Sequence, residues 1–431
     1  MEIKRDLYLN KLVNAIGNGS IKVITGVRRC GKSYILNTLF YNYLLKSGID
    51  KSHIIKFAFD SAEDLNKIGE DLIEIDVEKR KVDYKKFMNY ISSLIVDDNK
   101  YYLLLDEVQK LSSFETVLLG YLGRENFELF VSGSNSKFLS KDVITELRGR
   151  GYEIHVLPLS FSEYYDFIKG NEGDRLEEYM VFGGLPRVAL ANTNEEKMSY
   201  LKTQMTNTYL KDIVERYELH DDEGLNELLK IIASGISGLT NPNKLSNAFK
   251  SLSKKNLCPD TIDKYIDHFE DAFILNKVLR YDVKGKAYIS TPYKIYFEDV
   301  GLRNVALDFR QVEFTHIMEN VIYNELKYRG YNVDVGNIEV REKNREGNRI
   351  KKNLEVDFIA NKGSQRYYIQ SVYDIPDEEK WEQETKSFDN IKDSFKKIVV
   401  VNKNVVARHT ESGYLLIGLK EFLLNSNSLE L

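Results

Sequence analysis

Over the first third of the chain, short and almost uninterrupted apolar runs alternate with stretches of helical period. The runs are IKVITG at residues 21–26, HIIKFAFD at 53–60, YYLLLDEVQ at 101–109, ELFVSGSNS at 128–136 and YEIHVLPL at 152–159. Strands that are apolar on both faces belong to parallel sheets covered by helices on either side. Between the first two runs, Ile35, Leu36, Leu39, Phe40 and Leu44 repeat with helical spacing, which predicts a helix over 32–46. Parallel strands alternating with helices predict a doubly wound α/β domain with its ligand at the carboxyl ends of the strands.

Beyond Leu159 the pattern turns helical through SFSEYYDFI, LEEYMVFGGLPRV and YLKDIVERYEL, broken at Gly183, Gly184 and Pro186. From Asp222 three short helices are expected, the third opening at Pro259. FILNKVLRYD and KAYIST then read as a hairpin turning over 283–286. Three helices and a hairpin make a winged helix. The last 130 or so residues predict a helix in IMENVIYNELKYRGYNVDVG, then strands in NVDVGNIEV, NLEVDFIA and RYYIQSVYD. The expected domains are thus 1–160 (an α/β core), 161–221 (a helical segment), 222–300 (winged helix) and 301–431 (a last α/β domain).

The first run ends in GVRRCGKS. Gly26, Gly31, Lys32 and Ser33 match G-x-x-x-x-G-K-[ST] in the strand, loop and helix setting that this motif requires. Its glycines let Gly26, Val27, Arg28, Arg29, Cys30 and Gly31 wrap around phosphates, with N–H groups and the helix start at Tyr34 facing the anion. Lys32 is expected to reach the outer phosphates of ATP, and the Ser33 hydroxyl to bind Mg²⁺. Some 75 residues later the buried run LLLDE delivers Asp106 to hold Mg²⁺ and Glu107 to polarise an attacking water. Ser134 and Asn135, after the next strand, are candidates for fixing that water. Arg28 and Arg29 have two readings, as phosphate or neighbour contacts and as solvated loop charges. Cys30 likewise reads as a redox-sensitive thiol beside cations or as a small loop residue.

Charge and composition narrow the partners. The chain of 431 residues carries a formal net charge of −5, so nucleic acid would have to be held by a local patch. The best patch is REKNREGNRIKKN, residues 341–353, with six Lys or Arg against two acids; Arg341, Arg345, Arg349 and Lys351 are its candidate DNA contacts. The third helix before the hairpin carries Asp260, Asp263, Asp267, Glu270 and Asp271 against Lys264, which opposes groove binding and favours a protein-facing role. Two cysteines, Cys30 and Cys258, exclude a disulfide framework and fit a reducing cytoplasm. No apolar run reaches the roughly 18 residues of a membrane span, and the first ten residues lack a signal-peptide core.

The order of phosphate loop, LLLDE, VSGSN and LRGR before a final strand resembles the AAA+ class of ATPases. That resemblance implies that Arg148 or Arg150 acts as a finger in a neighbouring subunit's site, hence a homo-oligomer. Their other reading is a cation at a helix C-terminus or on a solvated face. It also implies a lid after the core, from which Arg187 is a candidate nucleotide contact. The C-terminal pattern resembles the PD-(D/E)XK nuclease fold, with Glu319, Asp357 and Gln370 in the places of its metal-binding residues. The chain departs from that pattern at Gln370, a weaker Mg²⁺ ligand than a carboxylate, and at Val372, where the fold carries lysine. A nuclease-like domain that does not cut is therefore expected, unless a lysine such as Lys386 has taken over. As a whole the chain resembles a prokaryotic family joining an AAA-type ATPase to a nuclease-like domain. ATP and Mg²⁺ are the expected cofactors, and DNA or a protein bound through the winged helix the expected partners.

Overall fold

A computed structural model describes residues 3–70, 81–133, 147, 149–168, 175–220, 222–253, 256–343 and 349–431. The chain forms two compact units, one of residues 1–157 with 271–273, the other of 158–270 and 274–431.

The first unit is built on five parallel strands, β1 (Ile21–Thr25), β2 (Ile54–Ala58), β3 (Tyr101–Asp106), β4 (Phe127–Ser132) and β5 (Gly151–His155), in the order β2-β3-β4-β1-β5. β1, β3 and β4 are buried along their whole length, as their unbroken apolar runs require, whereas the edge strand β5 has residues open to solvent. Leu103, Leu105, Leu129 and Val131 pack with Phe57, Phe87 and Leu118 in one apolar core. Each such side chain contributes roughly 1.5–3 kcal/mol on burial. β4 lies between β1 and β3, so the phosphate-loop strand and the strand ending in Asp106 are one strand apart. The expectation of an α/β domain built on a parallel sheet holds.

In the second unit three helices, Asp222–Ser234, Pro242–Leu252 and Pro259–Asp271, precede the strands β6 (Leu275–Asp282) and β7 (Ala287–Phe297). Here the structure corrects the sequence reading. The hairpin does not close off a small sheet of its own: β6 pairs in parallel with β8 (Asn332–Lys343), so β6 and β7 are the end of an eight-stranded sheet. That sheet continues through β9 (Arg349–Lys362), β10 (Gln365–Val372), β11 (Lys396–Val401), β13 (Leu415–Gly418) and β12 (Arg408–His409). A cut at residue 300 would sever a continuous hydrogen-bonded ladder.

The glycines of GGLPR have a packing cause. Gly183 has φ +76°, and a Cβ there would lie 2.1 Å from Oδ1 of Asp299. The buried Asp299 carboxylate accepts N–H bonds from Gly184 (2.7 Å) and Leu302 (3.1 Å), capping the helix Val300–Ala306. Burial pushes the Asp299 carboxyl up to about 6. Arg187 is exposed on the short helix that follows, Pro186–Ala189. No described helix is long and apolar enough to cross a membrane.

Candidate functional site

The phosphate loop connects β1 to a helix that runs through Lys32–Tyr34, a π turn at Ile35–Phe40 and Tyr41–Lys46. Only glycine fits at Gly26, where φ is +132° and a Cβ would sit 2.1 Å from the Val156 carbonyl oxygen. Lys32 is buried, and its ammonium donates to the carbonyls of Gly26 (2.9 Å) and Val27 (3.1 Å). Ser33 is exposed at the helix start, Tyr34 and Arg28 are half-buried, and Arg29 is exposed with φ 66°. Cys30 is fully buried, and its Sγ lies 3.1 Å from where a Gly26 Cβ would stand. That burial corrects the redox reading, because the thiol has no open face for an oxidant, and Cys30 is a core residue of the loop.

Asp106 ends β3 beside this loop. Its carboxylate accepts hydrogen bonds from the Ser132 hydroxyl, from the Asn37 amide at 3.2 Å and from the Ser33 hydroxyl. Burial raises the Asp106 carboxyl above the usual aspartate range, partly offset by these donors. Ser33 and Asp106, a hydroxyl and a carboxylate in contact, are the hard oxygen donors that Mg²⁺ takes. Glu107 follows in a left-handed backbone conformation, φ 53°, and its carboxylate accepts a bond from the Gln109 amide. A non-glycine residue held there is the kind of local strain found at functional sites.

Three contributors were not anticipated. Asn37 projects from a π turn, a helical irregularity common at functional sites. Ser132, the last residue of β4, donates its hydroxyl to the Asp106 carboxylate. Arg5, just before the helix α1 (Asp6–Asn14), is buried; its guanidinium donates to the Cys30 carbonyl (3.0 Å) and the Leu157 carbonyl (2.6 Å). It ties the phosphate loop to the chain leaving β5, and the Tyr8 hydroxyl accepts the Leu157 N–H at 3.0 Å. Ser134, Asn135 and Arg148 lie outside the described residues. Arg150 is exposed immediately before β5. Since β5 runs parallel to β1 with Gly151 opposite Ile21 and His155 opposite Thr25, Arg150 lies at the sheet edge away from the phosphate loop. Five residues of strand put it roughly 17 Å from that loop. That separation exceeds the length of an arginine side chain.

The second unit gathers the nuclease-like residues. Glu319 stands on the helix Phe314–Tyr328, Asp357 on β9 and Gln370 on β10, all buried. The unanticipated member is Lys294, from the hairpin strand β7. Its ammonium lies 2.7 Å from Glu319, 2.6 Å from Glu355 and 3.3 Å from Asp357, with the side chain 3% exposed. The Tyr296 hydroxyl donates to the same Glu319 oxygen at 2.6 Å, and the Ser371 N–H to the other Asp357 oxygen at 2.9 Å. Burial alone would lower Lys294, but Glu319, Asp357 and Glu355 raise it well above the ordinary lysine value. Burial pushes Glu319 up to about 7 against the pull of Lys294. Both shifts make the cluster hold its protons.

The rest of the nuclease pattern is committed elsewhere. The Gln370 amide accepts from the Asp357 N–H and donates to Glu384, each at 3.4 Å, and Val372 belongs to the apolar core. Lys386 pairs with Glu342 at 2.8 Å on the surface. Among the described residues, no group of three or more His, Cys, Asp or Glu side chains is placed to hold a metal ion. Of the basic patch, Arg341 is exposed, Lys351 pairs with Glu339 at 3.1 Å and Lys352 approaches Glu342 at 3.9 Å. Arg345 and the Arg349 side chain fall outside the described residues.

Comparison with known proteins gives these findings. The AAA domain family matches residues 18–165, and a family described as a domain of unknown function matches residues 173–313. A Haemophilus influenzae protein, described as uncharacterized, is 31% identical over 407 residues, covering 93% of this chain and 94% of that one. A Methanocaldococcus jannaschii protein, also described as uncharacterized, is 27% identical over 426 residues, covering 95% and 86%. Among solved structures, a Walker-type ATPase of Pyrococcus abyssi is similar over 71% of this chain and 96% of its own, with 13% identity and a TM-score of 0.49.

Proposed function

Because the chain belongs to one family with the uncharacterized Haemophilus influenzae protein and carries an AAA domain over residues 18–165, we propose that it works as a Mg²⁺-requiring oligomeric ATPase that acts on DNA through a C-terminal sheet that does not cut. The observation that carries the ATPase half is the convergence of Lys32, Ser33, Asp106 and Glu107 at one edge of a parallel sheet. Lys32 exchanges two neutral carbonyls for the outer phosphates, and the freed loop N–H groups orient them. Ser33 and Asp106 would hold Mg²⁺, which supplies charge neutralisation across those phosphates when bound. Glu107, turned by its backbone and the Gln109 amide, is the group to take the proton from an attacking water.

The position of Arg150 supports a shared site, since an exposed arginine at the edge away from its own loop is placed to reach a neighbour's. A mixing experiment tests this. Lys32→Ala and Arg150→Ala chains, each inactive alone, should regain part of the ATPase rate when combined; a mixture as inactive as its components would sink the shared site.

The DNA half is supported by the basic β8–β9 hairpin on the nuclease-like sheet. Mobility shifts across a salt series test it. Binding should weaken steeply with salt, and neutralising Arg341, Arg345, Arg349 and Lys351 together should flatten that dependence. Salt-insensitive or patch-independent binding would count against it. The ion pairs of Lys351 and Lys352 favour a second reading, a nucleotide-gated ATPase that recruits a protein through the acidic helix Pro259–Asp271. An ATPase rate unmoved by any DNA structure would select that reading.

A further inference from the structure

We infer that Lys294 takes the place of the divalent cation in the nuclease-like cluster and locks it, so that this unit is metal-independent as well as non-cutting. The inference deepens the reading of the C-terminal sheet as a nuclease-like platform and rests on it for the choice of cation.

An ammonium has three N–H donors and no acceptor. Lys294 has three carboxylates within ion-pair distance, Glu319, Glu355 and Asp357, and its side chain is almost wholly enclosed. Two donors are spent in hydrogen bonds to Glu319 (2.7 Å) and Asp357 (3.3 Å), and the Glu355 carboxylate stands 2.6 Å from the same nitrogen. A lysine that served catalysis would have to present a donor to the reacting groups. The two inner carboxylates already hold donors as well. One Glu319 oxygen receives both Lys294 and Tyr296, and the Asp357 oxygens receive Lys294 and the Ser371 N–H. A metal would have to displace the ammonium from the three carboxylates that hold it.

Two further facts agree. The position where the fold's third acid would stand carries Gln370, whose amide is spent on Asp357 and Glu384. Lys294 comes from β7, so the lock also fastens the hairpin at one end of the sheet to the helix Phe314–Tyr328 and to β9. One substitution in the ordinary lysine place, Val372, and one lysine supplied by another strand have together replaced a cation site with an ion-paired joint.

The test uses the full-length protein without nucleotide, in an Asp106→Asn background that removes the ATP-site ligand, titrated with Mn²⁺ and read by the electron paramagnetic resonance of the free ion. The parent is expected to bind no Mn²⁺ at this cluster. Lys294→Met is expected to gain one site per chain, lost again in Lys294→Met with Asp357→Asn, and to be stabilised against heat by Mn²⁺. A parent that binds Mn²⁺ and loses it on Asp357→Asn would overturn the inference, as would a folded Lys294→Met chain that binds none. Should Lys294→Met fail to fold, the parent titration still decides. Lys294→Arg, which keeps the cation, joins it: both metal-free supports the lock, and Mn²⁺ on either overturns it. Failure of the protein to bind DNA in EDTA would remove the DNA role and leave this result standing. Mn²⁺ bound without cutting would remove the lock alone.

Discussion

Two of the buried lysines in this chain, Lys32 and Lys294, are held in opposite ways. Lys32 rests on two neutral carbonyls of its own loop, with an exposed serine and a buried aspartate close by. Lys294 is ringed by three carboxylates. A carbonyl bond is exchanged for a phosphate at little net cost, because a neutral pair gives way to a charge-assisted one. A buried ion pair has no such exchange open to it, since removing either partner strands a charge in low dielectric. The first arrangement is a site waiting for a ligand; the second already contains its own.

Substitution at the two lysines should split binding from stability. Lys32→Ala is expected to abolish nucleotide binding while leaving the melting temperature near that of the parent, measured by fluorescent-nucleotide titration and calorimetry. Unchanged ATP affinity would undo the assignment of the loop. Lys294→Met should do the reverse, leaving ATP affinity in place and costing about 3–5 kcal/mol in denaturant unfolding of the second unit. A loss below about 1 kcal/mol would mean that the carboxylates find other partners and that the contrast between the lysines is false.

A smaller effect is expected at Arg5, which shows that the waiting site is itself held from behind. Arg5→Ala removes the link between the Cys30 and Leu157 carbonyls and leaves both short of a donor. The unsatisfied groups should cost about 1–3 kcal/mol. Part of that should appear as weaker ATP binding, because the loop loses the support that shapes it. Arg5→Lys keeps the charge but cannot span two carbonyls with a planar fork, so it should recover only part of the affinity. Equal affinity in all three chains would show that the loop holds its shape unaided.

The phosphate loop, Asp106 and Glu107 were legible in the sequence because each follows directly from a strand end, so that order along the chain is also order in space. Asn37, Ser132 and Arg5 were not, since their roles depend on a π turn, a neighbouring strand and a contact 152 residues away in the chain. The C-terminal elements were legible as elements, but their pairing was not. Nothing local in FILNKVLRYD says that it will lie parallel to a strand some 50 residues later, and the hairpin was therefore read as a separate wing. Lys294 had one visible signal. It is the lone charge in PYKIYF, an apolar run whose alternation puts Lys294 and Tyr296 on the same face. A charge inside such a run asks for a buried partner, and its partners lie on a helix and a strand further along the chain.

The smallest expected effect concerns the proton economy of the locked cluster. Glu319 has its carboxyl pushed from 4.5 up to about 7 in the folded protein by burial, Lys294 pulling the other way. Between those two values the folded state holds a proton that the unfolded chain releases, so the contribution of Glu319 to stability is full below about pH 4.5 and is lost as pH rises through about 7. Asp299, raised from 3.8 to about 6, acts with the same sign over a lower window. Glu319→Gln removes only the first of these. The variant should therefore lose less stability than the parent between pH 5 and pH 7, by about 1–2 kcal/mol once the strengthening pair with Lys294 is allowed for. Denaturant unfolding of both chains at matched pH values gives that difference directly, with the other titrating groups cancelling. The phosphate-loop lysine supplies the control: Lys32→Ala should leave the pH slope untouched, because its carbonyl partners do not titrate. Parallel curves for parent and Glu319→Gln would mean that Glu319 stays charged throughout, with Lys294 holding it as a full ion pair.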